Sequence, residues 1–208
     1  AHLLHTPQGG RGILLGGLAS VERGRVVVLG AGTAGGASVR AAAALGANVT
    51  VFDRNPHQLE AMHRVAPNVT ALIATDAAVE EAVAAADLLV GAVLLPGAAA
   101  PRVVSRKQVA RMRPGSVIAD ISVDQGGCIE TTRASTYDAP TYVEEGVQHF
   151  CVTNMPGAVP RSATQALSAA MLPYLEALLR EDWRSDPRLS AAVNVSGGEV
   201  VLAALRGD

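Results

Sequence analysis

Between Arg25 and Val152 the chain alternates short runs of β-branched residues and leucine with alanine-rich stretches whose apolar positions recur every three to four residues. This pattern predicts consecutive right-handed βαβ units. Strands are expected at 25–29, 47–52, 69–73, 87–93, 116–121 and 147–152. Helices are expected at 33–45, 56–65, 76–86 and 105–112. The last of these has Ser105 three positions before Gln108, a capping-box spacing, and stops before Pro114-Gly115. The predicted class is α/β: a doubly wound parallel sheet, whose ligand crevice lies beyond the carboxyl ends of the strands.

The two ends of the chain break the pattern. Residues 1–20 hold Gly9-Gly10-Arg11-Gly12 and Gly16-Gly17 with little apolar periodicity, and are read as a linker between domains. Beyond Pro156, Leu167, Ala170, Met171, Tyr174, Leu175 and Leu178 recur at helical spacing, with a kink expected at Pro173. The expected organisation is therefore a linker over 1–20, a nucleotide-binding domain over 21–154, and a helical segment over 155–208 that flanks the sheet and belongs to an incomplete second domain. The first residue is Ala1, not Met, which points to a processed or trimmed chain.

Composition narrows the possibilities. The chain has 208 residues, a formal net charge of -2 and 17 scattered Lys and Arg residues, which argues against nucleic acid as a partner. No apolar run approaches the ~20 residues of a membrane span, and no leader peptide pattern is present. Apolar residues make up 49% and aromatics only 3%, so the core is built from Ala, Val and Leu. Cys128 and Cys151 have no metal-ligand spacing, and two thiols in a chain of this size fit a reducing compartment, the cytoplasm.

Gly30-Ala31-Gly32-Thr33-Ala34-Gly35 follows the first expected strand and opens the first expected helix. In that context the pattern is a dinucleotide-binding fingerprint of the Rossmann type. Gly30 permits the tight turn, Gly32 lets the backbone approach a pyrophosphate, and Gly35 allows close packing of helix and strand. The helix start offers free N–H groups and the positive end of its dipole. Asp53 ends the second expected strand, where its carboxylate accepts hydrogen bonds from ribose hydroxyls and repels a 2′-phosphate. NAD is thus expected over NADP, despite the neighbouring Arg54. The bland alternative is that the glycines serve only a turn and that Asp53 caps the next helix.

Two later loops fall at the expected crevice: 93–98 (Val93-Leu94-Leu95-Pro96-Gly97-Ala98) and 121–128 (Ile121-Ser122-Val123-Asp124-Gln125-Gly126-Gly127-Cys128). Asp124 just past a buried strand is a candidate catalytic carboxylate or, equally, a turn cap.

Four motifs in order resemble the alanine dehydrogenase family. They are Gly9-Gly10-Arg11-Gly12-Ile13-Leu14-Leu15-Gly16-Gly17, Gly91-Ala92-Val93-Leu94-Leu95-Pro96-Gly97, Asp124-Gln125-Gly126-Gly127-Cys128 and Asn154-Met155-Pro156-Gly157-Ala158-Val159-Pro160. The resemblance implies NAD-dependent oxidative deamination of L-alanine to pyruvate and ammonium, reversibly, with Asp124 as the active-site aspartate. It implies that Thr33, Ala34, Asp53, Val93, Leu94, Ile121, Val123, Arg133, Asn154 and Met155 line the dinucleotide site together with Gly30, Gly32 and Gly35. It also implies a homo-oligomer.

Two positions depart from the family pattern: Gln58 stands where a basic residue is common, and Ala74-Thr75 where a serine lies near the adenine. The family's substrate-gripping arginine, lysine and histidine lie in an N-terminal half that these 208 residues do not include. Among His2, His5, His57, His63 and His149, none is expected beside Asp124. The chain is thus expected to bind NAD without turning over alanine alone. The alternatives are a fragment of the NAD-binding subunit of a proton-translocating transhydrogenase, which shares the architecture, and a non-catalytic short form that binds NAD. Cys128 is read as a small buried hydrophobe, not a reactive thiol.

Overall fold

A computed structural model describes residues 1–206 apart from Pro96 and Ala98. It divides into two units, Ala1–Thr153 and Asn154–Asp208. The first holds β1 (Arg25–Leu29), α1 (Thr33–Ala44), β2 (Asn48–Asp53), α2 (Pro56–His63), β3 (Val69–Ile73), α3 (Asp76–Ala85), β4 (Leu88–Gly91), α4 (Arg106–Val109), β5 (Val117–Asp120), β6 (Thr141–Glu144) and β7 (Val147–Phe150). The sheet has seven strands in the order β3-β2-β1-β4-β5-β7-β6. All pairings are parallel except β6 with β7. Strand order reverses between β1 and β4, so the crevice opens beyond Leu29 and Gly91, as doubly wound sheets require.

The strands are short apolar runs because both faces are covered. Val26, Val28, Val49 and Val51 pack with Val39, Leu59 and Met62 on one side. Val27, Leu29, Phe52 and Leu89 pack with Val79, Val83, Val104 and Ile118 on the other. The period-two alternation of a strand sends neighbouring valines into different cores.

Three expectations change. Residues 1–20 are not a free linker: Leu4 and Leu15 are buried in the first core, and Gln8 O accepts from Gln148 Nε2 at 2.5 Å. Arg11 pairs with the buried Asp87, whose other oxygen accepts from Arg25 N at 2.8 Å. Their glycines obscure any apolar period, yet two leucines suffice to anchor the segment. The helix expected at 105–112 has only four residues, although its capping box forms, with Gln108 Oε1 accepting from Ser105 N at 2.7 Å. Strand β6 was not expected. It joins β7 through a two-residue turn in which Glu145 (φ 53) and Gly146 (φ 74) are both left-handed, the backbone of a type I′ hairpin.

The second unit opens with a 3-10 turn, Met155–Ala158, followed by α5 (Pro160–Leu178), α6 (Pro187–Ala191) and a small hairpin of β8 (Val195–Ser196) and β9 (Glu199–Val200). Pro173 lies inside α5, which runs on past it. The apolar stripe foreseen there is exposed at Leu167, Met171, Tyr174, Leu175 and Leu178.

Candidate nucleotide site at the strand ends

Each glycine of the fingerprint answers a different steric demand. Gly30 has φ 97, and a Cβ on it would stand 2.4 Å from the Ala92 carbonyl oxygen, so the loop turns hard against the end of β4. A Cβ on Gly35 would lie 1.8 Å from Gly30 O, which is how closely α1 folds back on the loop. Around Gly32 the same construction meets nothing within 4 Å. Gly32 is the N-cap of α1, no side chain caps that helix end, and Gly32, Thr33 and Ala34 are exposed. The first turn thus offers backbone N–H groups and the positive dipole end to an open surface.

Asp53 faces this loop. Its Oδ2 accepts from Ala31 N at 2.6 Å and its Oδ1 from Asn55 N at 2.8 Å. A carboxylate has about four acceptor positions, so capacity for further donors remains. Helix α2 is capped by Asn55, whose Oδ1 accepts from His57 N at 3.0 Å, so Asp53 is not its cap. Arg54 is exposed beside it.

Beyond β4, Ala92 N donates to Leu29 O at 2.8 Å, and Val93 O accepts from Ser122 Oγ at 2.8 Å, tying this loop to the end of β5. Val93 is half-buried, while Leu94 and Leu95 are exposed. Pro96 and Ala98 of this loop motif lie outside the described residues.

The loop after β5 is organised by a residue that sequence reasoning missed. Asp120, fully buried, accepts from Ser122 N (3.0 Å), Cys128 N (2.9 Å), Ile129 N (3.3 Å) and Thr132 Oγ1 (2.6 Å). These bonds fold Ile121–Gln125 into a 3-10 turn and close Gly126 and Gly127, both left-handed, back beneath it. The signal available was an aspartate at the end of a buried strand, where only a hydrogen-bonded carboxylate is tolerated. Asp124 sits exposed on the outside of that turn, with Ile121 half-buried. Val123 is buried, so its side chain belongs to the core and only its backbone faces the loop. Burial, and then the charge of Asp120, push the Cys128 thiol up to about 12, which makes it inert.

Arg133 is exposed next along the chain. Its backbone N donates to Tyr142 Oη at 2.7 Å, and its guanidinium lies 3.7 Å over the Tyr142 ring. Within the first unit Asp53 is bonded to the glycine loop at Ala31 and Val93 to the turn at Ser122, while the contacts of Arg133 are with Tyr142. Asn154 and Met155 belong to the second unit. There Asn154 is left-handed (φ 51) and Asn154 O accepts from Gly157 N at 2.8 Å.

His2, His5, His57 and His63 are exposed, and His149 is buried in β7. No cluster of three or more metal-ligating side chains exists among the described residues. A recess of about 240 Å³ lies between the N-terminal residues Ala1–Leu4, His2 among them, and the apolar strand residues Leu88, Val117, Ala119 and Phe150, and none of the predicted nucleotide-site residues lines it. No helix among the described residues is long and apolar enough to cross a membrane.

Comparisons with known proteins agree with this fold. The family model "Alanine dehydrogenase/PNT, C-terminal domain" matches residues 1–203. An alanine dehydrogenase of Halomonas elongata is 45% identical over 210 residues, covering 99% of this chain and 57% of the relative. One from Geobacillus stearothermophilus is 43% identical, covering 99% and 56%. Among solved structures, an L-alanine dehydrogenase superposes with a TM-score of 0.86 at 45% identity, covering 98% of this chain and 58% of that one. A transhydrogenase from Sinorhizobium meliloti gives 0.75 at 27% identity, covering 97% and 58%. The chain thus spans somewhat more than half the length of the relatives it matches. With its doubly wound sheet, its glycine loop and a match over nearly its whole length, this chain belongs to the alanine dehydrogenase/PNT C-terminal domain family.

Proposed function

We propose that this chain is the NAD-binding portion of an NAD-dependent alanine dehydrogenase, which oxidatively deaminates L-alanine to pyruvate and ammonium, reversibly. The observation that supports this most is the open space at Gly32 beside an uncapped helix start, with the Asp53 carboxylate turned onto the same loop. A pyrophosphate fits bare amides there. The ribose beyond it meets the remaining acceptor positions of Asp53, and a 2′-phosphate would meet a negative charge, so NAD is preferred over NADP. When bound, NAD supplies the hydride acceptor.

The chain's own residues bind and orient. Val93, Leu94, Ile121 and the backbone at Val123 line the crevice beyond β4 and β5, and Arg133 adds a positive charge at its rim. Asp124, held out by the Asp120-tied turn, is the polar group offered to the reacting end. For Asn154 and Met155 the family likeness alone suggests a part in nucleotide binding. Hydride transfer needs the substrate carbon about 3–3.5 Å from the nicotinamide and a base for the amine proton. Asp124 cannot supply both, so residues outside this chain complete the reaction. Higher identity to proteins named alanine dehydrogenase than to the transhydrogenase, 45% against 27%, favours the dehydrogenase reading. Cytoplasmic placement, supported by two free thiols, and homo-oligomeric assembly belong to the same proposal.

The test pairs two measurements on the 208-residue chain. Calorimetric titration with NAD is expected to show one binding site, and mixing with L-alanine and NAD is expected to give no rise in NADH absorbance. No heat on titration overturns the binding reading, and rapid NADH formation overturns the claim that the chemistry needs residues beyond these.

A further inference from the structure

The antiparallel hairpin of β6 and β7 is not part of the parallel fingerprint, yet it places Tyr142 directly opposite His149 across the strand pair. The two rings stack with centroids 4.9 Å apart and planes 17° apart. The Arg133 guanidinium lies 3.7 Å from the same Tyr142 ring. Two flat groups that close to one ring centre collide if they share a face, so Arg133 and His149 take opposite faces. We infer that Tyr142 is a positioning residue for the nucleotide site, pinning Arg133 at the crevice rim while His149 braces the ring from the core side. This rests on the proposed reading of the site as one for NAD.

The surrounding bonds fix every member of the stack. Tyr142 Oη accepts from Arg133 N at 2.7 Å and donates to Thr131 O at 3.1 Å, so the phenol clamps the chain on both sides of Thr132. Thr132 in turn donates to Asp120, the carboxylate that closes the loop bearing Asp124. Arg133 is thereby tied both to that loop and to the hairpin. His149 is fully buried. Its Nδ1 lies 3.0 Å from Val147 O, which only accepts, so the ring proton sits on Nδ1 and Nε2 accepts from Thr131 Oγ1 at 2.7 Å. Burial holds this imidazole below its ordinary range, so it stays neutral. A neutral ring behind Tyr142 leaves the negative π-face in front free to hold the cationic guanidinium. An arginine held on a ring loses less rotamer freedom when an anionic ligand arrives.

The experiment is a double-mutant cycle read by calorimetric NAD titration of the full 208-residue chain, with circular dichroism confirming the fold of each variant. Arg133→Ala and Tyr142→Leu are each expected to weaken NAD binding by about fivefold to tenfold. The double variant is expected to bind no more weakly than Arg133→Ala alone, because Tyr142 acts only through Arg133. Tyr142→Phe keeps the ring face and loses the clamp, and about a twofold to threefold loss is expected. It forms a second cycle with Arg133→Ala should Tyr142→Leu fail to fold. Losses that multiply in the double variant, or a Tyr142→Leu protein that binds NAD like the wild type, overturn the inference. An Arg133→Ala protein with undiminished NAD affinity also overturns it, and leaves the NAD reading standing if Gly32→Ala still weakens binding. A wild-type chain that takes up no NAD removes both.

Discussion

Gly32→Ala is expected to keep the fold and lose the nucleotide, whereas Gly35→Ala is expected to lose both. At Gly32 the backbone has φ -68 and ψ -161, which any residue adopts, and a Cβ meets nothing within 4 Å, so melting should change by less than about 0.5 kcal/mol. The added methyl instead occupies the space through which a pyrophosphate reaches the amides of Thr33 and Ala34. Hydrogen bonds to a charged group contribute about 1.5–3 kcal/mol each. Pushing the phosphate out of reach of one or two of them weakens NAD binding by roughly 30-fold or more. At Gly35 the Cβ would sit 1.8 Å from the Gly30 carbonyl oxygen, a backbone atom in a turn already held by Ala92. Helix α1 must move off β1, at about 3 kcal/mol, the upper part of the range for overpacked cores. Thermal melts with and without NAD separate the two outcomes. Equal destabilisation by both substitutions would contradict this division of roles.

Asp120→Ala is expected to be the most destabilising single change in the loop region. The substitution strands the backbone N–H groups of Ser122, Cys128 and Ile129 and the hydroxyl of Thr132 around a buried void. A buried unsatisfied donor costs about 1–3 kcal/mol. Allowing for relaxation and water entry, the total is about 4 kcal/mol, which lowers the urea midpoint by about 2 M at a typical slope for a domain of this size. Hydrogen exchange should speed up first at Ser122, Cys128 and Ile129. A midpoint within about 0.5 M of the wild type would show that the loop is held by something other than this carboxylate.

Legibility in the sequence followed the range of the interactions involved. The glycine loop was legible because strand, turn and helix are contiguous and Gly35 folds back on Gly30 five residues away, even though the close approach of Gly30 to Ala92 comes from the distant end of β4. Asp53 could be read because the second strand of a βαβ unit ends beside the first loop. Asp120 could not be placed, since its partners come from a loop whose closure the carboxylate itself creates. Strand β6 was missed because Thr141–Glu144 is four residues long, half-exposed at the sheet edge, and followed by a Glu-Gly turn in place of the usual Asn-Gly or Asp-Gly. The first twenty residues looked like a linker because glycine masks the period, while burial of Leu4 and Leu15 depends on the distant sheet. Arg133, Asn154 and Met155 came from family likeness alone. For Arg133 the hairpin now supplies a physical setting.

The central claim is that a dinucleotide rests on the bare amides opening α1. Titrating an isotope-labelled sample of the chain with NAD and following each backbone amide by NMR tests it most directly. The account predicts that Gly32, Thr33 and Ala34 shift most among the amides of the first unit, with Ala31 following through its bond to Asp53. Shifts confined to other strand ends, or an unchanged spectrum at saturating NAD, would contradict it.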